Sequence, residues 1–122
     1  MKICGYLLDD YGETVFNVYS DNFAEFYIDE NSEKLLNQDE LEQWSIWLKS
    51  SWIKDDEIYV TEFNKSSKEN EQKYRTYYQV VGYEGITAVV YGYGNTPQES
   101  LQDCMNHFEY LQKKYNKKNI AI

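Results

Sequence analysis

The sequence predicts an α+β fold: an antiparallel sheet of about five or six strands, two helices packed on it, and a C-terminal ββα unit. Three observations predict it. Short runs rich in Ile, Val, Phe and Tyr recur between turn residues. Two stretches open on Asn or Thr with Glu three residues later, and then carry apolar residues at helical spacing. Tyrosine supplies 13 of the 122 residues, and its apolar body and polar tip suit half-buried strands.

The opening reads as a hairpin. Residues 2–8 and 14–19 are strand-like, and Asp9-Asp10-Tyr11-Gly12-Glu13 supplies the turn between them. A third strand is expected from Phe23 to Ile28, broken by Asp29-Glu30-Asn31-Ser32. The first helix begins at Asn37, whose side chain caps free N–H groups while Glu40 closes a capping box. Its stripe is Leu41, Trp44, Leu48 and Trp52, flanked by Trp47, with Ile46 and Ile53 on the far side. Asp39 and Glu40 suit the positive end of its dipole, and Lys49 and Lys54 the other.

Glu57 to Phe63 reads as the next strand, followed by a polar loop from Lys65 to Gln72. Lys73–Tyr83 and Ile86–Tyr93 then pair around a two-residue turn, Glu84-Gly85. That register sets Tyr78 opposite Tyr91, Val80 opposite Val89 and Thr76 opposite Tyr93, with Tyr77, Val81, Tyr83, Ile86, Ala88 and Val90 on the other face. Neither face is polar, so both are expected to be covered at least in part. The last helix opens on Thr96-Pro97-Gln98-Glu99, with Pro97 at the first helical position, where its missing N–H costs nothing. Leu101, Cys104, Met105, Phe108, Leu111 and Tyr115 form its stripe, and Lys113, Lys114, Lys117 and Lys118 crowd its end.

No repeat, Pro-rich linker or low-complexity tract divides the chain, so residues 1–122 read as a single domain. The apolar start stops at Asp9-Asp10, too short for a signal segment, and no run reaches the ~20 apolar residues of a membrane span. The expected setting is therefore cytoplasmic, with Cys4 and Cys104 as reduced thiols.

Charge is distributed unevenly. Residues 1–62 carry 15 Asp and Glu against 4 Lys and Arg, while residues 63–122 carry 6 against 8. The net charge of −9 argues against direct nucleic-acid binding, which needs a basic footprint. It serves solubility, or it marks a surface for a basic partner.

Catalytic and metal motifs do not emerge. His107, the only histidine, is read as structural or exposed, with no acid or nucleophile nearby in sequence. Cys104 within the helix stripe and Cys4 on the first strand read as buried, unreactive thiols. Asp9, Asp10 and Glu13 read as a solvated turn, since their spacing does not follow an EF-hand loop. Gly92-Tyr93-Gly94 lacks the third glycine of a dinucleotide fingerprint and follows a hairpin strand, so strand-end flexibility accounts for it. No cofactor, metal or enzymatic activity is expected.

The run Tyr91-Gly92-Tyr93-Gly94-Asn95-Thr96-Pro97-Gln98-Glu99-Ser100-Leu101 resembles the strand-to-helix step of HicB-type antitoxins, where a small sheet leads into a helix opened by a Thr-x-x-Glu cap. The Pro-Gly-Cys-like turn before that step is absent, and the resemblance assigns no residue a role.

In size and charge the chain resembles phage anti-CRISPR proteins and bacterial toxin-immunity proteins. The expectation is therefore a binding inhibitor, its carboxylates standing in for phosphates in the basic groove of a nuclease or other nucleic-acid-binding defence protein. The candidate surface is Asp29, Glu30, Glu33, Asp39, Glu40 and Glu42, with Asp55, Asp56 and Glu57, and with Trp47 as an anchor. The alternatives are a self-associating structural module, in which a homodimer uses the 73–93 hairpin or the Trp helix, and a small carboxylate enzyme with two acids in one pocket.

Overall fold

The structure is a computed structural model that describes residues 2–49, 58–64, 72–81 and 85–115. Five strands and two helices follow one another as β1 (Ile3–Leu8), β2 (Thr14–Tyr19), α1 (Gln38–Lys49), β3 (Ile58–Phe63), β4 (Tyr74–Val81), β5 (Thr87–Gly94) and α2 (Pro97–Tyr115). The strands form one antiparallel sheet in the order β2-β1-β5-β4-β3. The architecture is the α+β one expected, ending in the β4-β5-α2 unit. Trp52, Ile53, Lys54, Tyr83, Glu84, Lys117, Lys118 and the loop of residues 65–71 lie outside the described residues.

The first helix closes a full capping box, while the second is capped by Thr96 alone, without the return bond expected from the Glu99 side chain. Asn37 Oδ1 accepts the Glu40 N–H at 2.8 Å, and Glu40 Oε1 accepts the Asn37 N–H at 3.0 Å. Thr96 Oγ1 accepts the Glu99 N–H at 3.1 Å, with Pro97 as the first helical residue.

Both helices lie on one face of the sheet. Leu41, Trp44 and Leu48 from α1 and Cys104 and Leu111 from α2 are buried with Leu7, Phe16, Val18, Tyr78, Val80, Ala88 and Val90 in one hydrophobic cluster. Ser45, inside the stripe of α1, is also fully buried, and its hydroxyl donates to Leu111 O at 3.0 Å. That bond ties α1 to α2.

Two expectations need correction. The β4–β5 register is one residue away from the expected one: Tyr78 pairs with Val90, Val80 with Ala88 and Thr76 with Gly92, and among the described residues the pairs run to Val81 with Thr87. That register does not fit a two-residue Glu84-Gly85 turn, and the residues of β5 exchange faces relative to β4. The packing of α2 explains the shift. A Cβ on Gly92 would sit 2.1 Å from Cys104 N, and one on Gly94 would sit 2.4 Å from Ser100 N. Only glycine lets the helix backbone come so close, so these two positions must face α2. Close approach, rather than strand-end flexibility, accounts for both glycines. Thr76, now on the same face, shares hydroxyl bonds with Ser100 at 2.8 Å and Thr61 at 2.7 Å.

The second correction concerns Phe23–Ile28, which is not a strand. Only Tyr27 bridges, to Tyr19 on one side and to Leu35 on the other. Upstream, Asn22 Oδ1 accepts the Ala24 N–H at 2.9 Å and the Glu25 N–H at 3.3 Å, while Ser20 Oγ accepts the Phe23 N–H at 2.9 Å. These local bonds take the donors a strand ladder would use, and Phe23 turns into the left-handed region at φ 53°.

The sheet face away from the helices carries Tyr6, Tyr77 and Tyr91. Ring centroids there are 6.2 Å apart for both Tyr6–Tyr91 and Tyr77–Tyr91. The Arg75 guanidinium lies 4.6 Å from the Tyr91 centroid and pairs with Glu62. No described helix packs on this face.

Candidate functional site

The acidic segment lies alongside β2, at one edge of the sheet. Tyr19 and Tyr27 exchange backbone bonds at 2.8 and 2.9 Å, and the chain then doubles back, with Ile28 N–H donating to Lys34 O and Leu36 N–H to Phe26 O. The segment is thus a short hairpin-like finger rooted by buried Phe26 and Leu36. Asp29, Glu30 and Glu33 occupy its tip. Asp29 Oδ1 accepts the Glu33 N–H at 2.8 Å and Ser32 takes φ 62°, which together fix the turn. Asp39, Glu40 and Glu42 follow on the opening turns of α1, which starts at Gln38, one residue past the Asn37 cap.

From Asp21 to Glu42 the chain carries eight Asp and Glu against one lysine, Lys34. Asp21, Glu25, Glu30, Glu33 and Asp39 are exposed, while Asp29, Glu40 and Glu42 are half-buried. Glu40 is engaged in the helix cap, and Glu42 accepts from Gln38 Nε2 at 3.3 Å. Trp47 is half-buried, packed against the core, while Trp44 is fully enclosed. Glu40 and Trp47 are seven apart on α1 and share a helical face. Asp55, Asp56 and Glu57 lie outside the described residues.

A second feature was not foreseen. At the end of the sheet where β1 starts and β5 stops, two adjoining clefts of about 250 and 320 Å³ share Gln72, Tyr93 and Asp103. One is walled by Phe23 and His107, and the other opens toward Asn95 and Glu99. His107 is not isolated, as the sequence reading had it. Asp103, one helical turn earlier, places Oδ1 3.3 Å from its Nε2, and Tyr91 O lies 2.8 Å from Nδ1. The ring stacks on Phe23 at 3.8 Å with planes 4° apart. Asp103 Oδ2 also accepts the Tyr93 N–H at 2.8 Å. His107 and Asp103 therefore hold the start of the acidic segment, the end of β5 and α2 together. The spacing of four on a helix was the signal that would have found this pair.

These groups hold parts of the fold together. Both nitrogens of His107 and both oxygens of Asp103 are engaged with protein atoms. Cys4 lines the cleft, yet burial pushes its thiol up to about 12, and only a thiolate is a nucleophile. Among the described residues no group of three or more His, Cys, Asp or Glu could hold a metal ion, and no helix is long and apolar enough to cross a membrane.

Three buried acids, Cys4, Cys104 and Tyr91, and the half-buried Tyr93 should make stability fall in alkali. Burial pushes the Cys4 and Cys104 thiols up from 9.0 to about 12, the Tyr93 phenol up from 10.0 to about 12, and the Tyr91 phenol higher still. Above the ordinary values the unfolded chain has lost protons that the fold retains, so stability is full below about pH 9 and declines as pH rises. The expected result is a melting temperature lower by roughly 10 °C at about pH 11 than at about pH 8. Both thiols should also resist a disulfide reagent until denaturant is added. Prompt labelling of the native protein near neutral pH would contradict the burial.

No protein family, curated protein or solved structure matches the chain.

Proposed function

We propose that the protein is a small, non-catalytic binding inhibitor that acts in the cytoplasm by occupying the basic groove of a nuclease or other nucleic-acid-binding defence protein, in the manner of an anti-CRISPR or immunity protein. The observation that carries this reading is the acidic finger: three carboxylates, Asp29, Glu30 and Glu33, on a tip braced from within by hydrogen bonds. A braced loop loses little conformational entropy on binding, so its charges are pre-organised as a phosphate backbone's would be. The adjacent turns of α1 add Asp39 and Glu42, and the partly exposed Trp47 supplies an aromatic anchor further along the helix.

The test is capture of binding proteins from the native cell, followed by titration of the purified pair at rising salt. The expected partner is basic, and its affinity falls steeply between about 50 and 200 mM salt, because screening shortens the reach of exposed charges. A neutral or acidic partner, or affinity indifferent to salt, would overturn the electrostatic reading.

A self-associating module is the second reading, favoured by the tyrosine face on which no described helix packs. Sedimentation over a range of protein concentration separates the two: a monomer throughout removes self-association.

A further inference from the structure

Several carboxamides line the paired clefts at the end of the sheet, and three of them have their oxygens committed to protein donors. Gln72 Oε1 accepts from Lys2 Nζ at 2.6 Å, which leaves its NH2 group for the cleft. Asn22 commits Oδ1 to Ser20, Ala24 and Glu25, and Asn106 commits Oδ1 to Gln102 at 2.8 Å; each keeps its NH2 group. Three carboxamides whose oxygens are already occupied are thereby donors. Such donors, shared between two adjoining clefts, suit the carbonyl oxygens of an extended backbone, which carry two lone pairs each. The charged side chains around them are Asp21 in one cleft and Glu99 in the other, besides the Asp103–His107 pair and Lys2. One cleft falls short of the ~300–1,000 Å³ typical of compact ligand pockets and the other only just reaches its lower end. Joined through Gln72, Tyr93 and Asp103, they form a continuous track along one flank of α2.

We infer that this track receives an extended, Arg- or Lys-bearing peptide segment of the partner. The carboxamides of Asn22, Gln72 and Asn106 hold its backbone carbonyls, and Asp21 and Glu99 take its cations. The inference rests on the basic-partner reading above and gives that partner a second point of attachment, separate from the finger tip. Phe23 links the two, since it is stacked on His107 at the cleft wall and also packs edge-on against Phe26 at the finger's root, 4.9 Å between centroids.

The probe is a short unstructured peptide alternating Arg and Gly, with a Glu-Gly peptide as its counterpart, titrated into the isotopically labelled protein. Side-chain NH2 signals of Asn22, Gln72 and Asn106 are expected to move saturably with the Arg-Gly peptide and to stay still with the other. The double variant Asp21→Lys, Glu99→Lys should weaken that binding by about tenfold or more, as loss and reversal of two charge contacts requires. Neither residue is part of the Asp103–His107 linkage, so folding is checked simply by the unchanged remainder of the spectrum. The variant Glu30→Lys, Glu33→Lys should leave the cleft signals responsive. Shifts confined to the finger tip would overturn the peptide track while leaving the basic-partner reading intact. Absence of any saturable shift would overturn the track as well, and capture of a basic partner from cells would then decide the broader reading independently.

Discussion

Trp44→Ala is expected to destabilise the protein by about 4 kcal/mol, a large part of the ~5–15 kcal/mol that holds a domain of this size together. The indole is fully buried, and its Nε1–H donates to Val89 O at 2.8 Å, which joins α1 to the middle strand of the sheet. Removing the ring opens a cavity under α1 that the neighbouring strands cannot close, since Val89 and Val90 are themselves fully enclosed. The effect extends to the acidic finger. Phe26 and Phe23 set their rings 6.2 and 6.5 Å from the indole, so the finger's root loses its main support. Trp44→Phe keeps most of the volume and gives up the hydrogen bond, and about 1–2 kcal/mol is the expected loss. Thermal and denaturant melts of both variants measure this. An alanine variant within about 1 kcal/mol of the parent would contradict the packing described.

The second large effect concerns binding. Glu30→Lys together with Glu33→Lys should lower affinity for the basic partner by about 100-fold, or roughly 2.7 kcal/mol. Both side chains are exposed on the finger tip, so stability should move by no more than about 0.5 kcal/mol. Asp29 is left alone because its carboxylate accepts the Glu33 N–H and shapes the turn. Replacing it would mix a folding defect with a charge defect. The same reversal made at Asp10 and Glu13, at the opposite end of β2, serves as the control and should cost far less. Equal losses at both places would mean that overall charge, not the finger, governs association.

The elements whose signals are local were legible in the sequence. Asn37 with Glu40 and Thr96 with Glu99 marked both helix starts, because a side-chain cap is satisfied within four residues. The β1–β2 hairpin was equally plain. The β4–β5 register was not, because it is decided by what lies across the sheet: Gly92 and Gly94 must face the backbone of α2, and no alternation within the strands reveals that. The strand expected at Phe23–Ile28 failed because Ser20 and Asn22 capture the backbone donors before pairing begins.

The candidate site divides the same way. Its carboxylates were visible as composition, while their gathering at one tip depends on the bonds between Phe26–Ile28 and Lys34–Leu36. The cleft draws Lys2, Asn22, Gln72, Tyr93 and Asp103 from five separate parts of the chain. Only the Asp103–His107 contact, at helical spacing, was open to reading in advance.

The most direct test of the proposed inhibitor is competition at the partner's groove. With a fluorescent nucleic acid bound to the captured partner, added protein should release it completely at about one equivalent, and the Glu30→Lys, Glu33→Lys variant should need far more. A stable ternary complex, in which nucleic acid stays bound while this protein is also present, would contradict the claim that the acidic finger takes the place of phosphates.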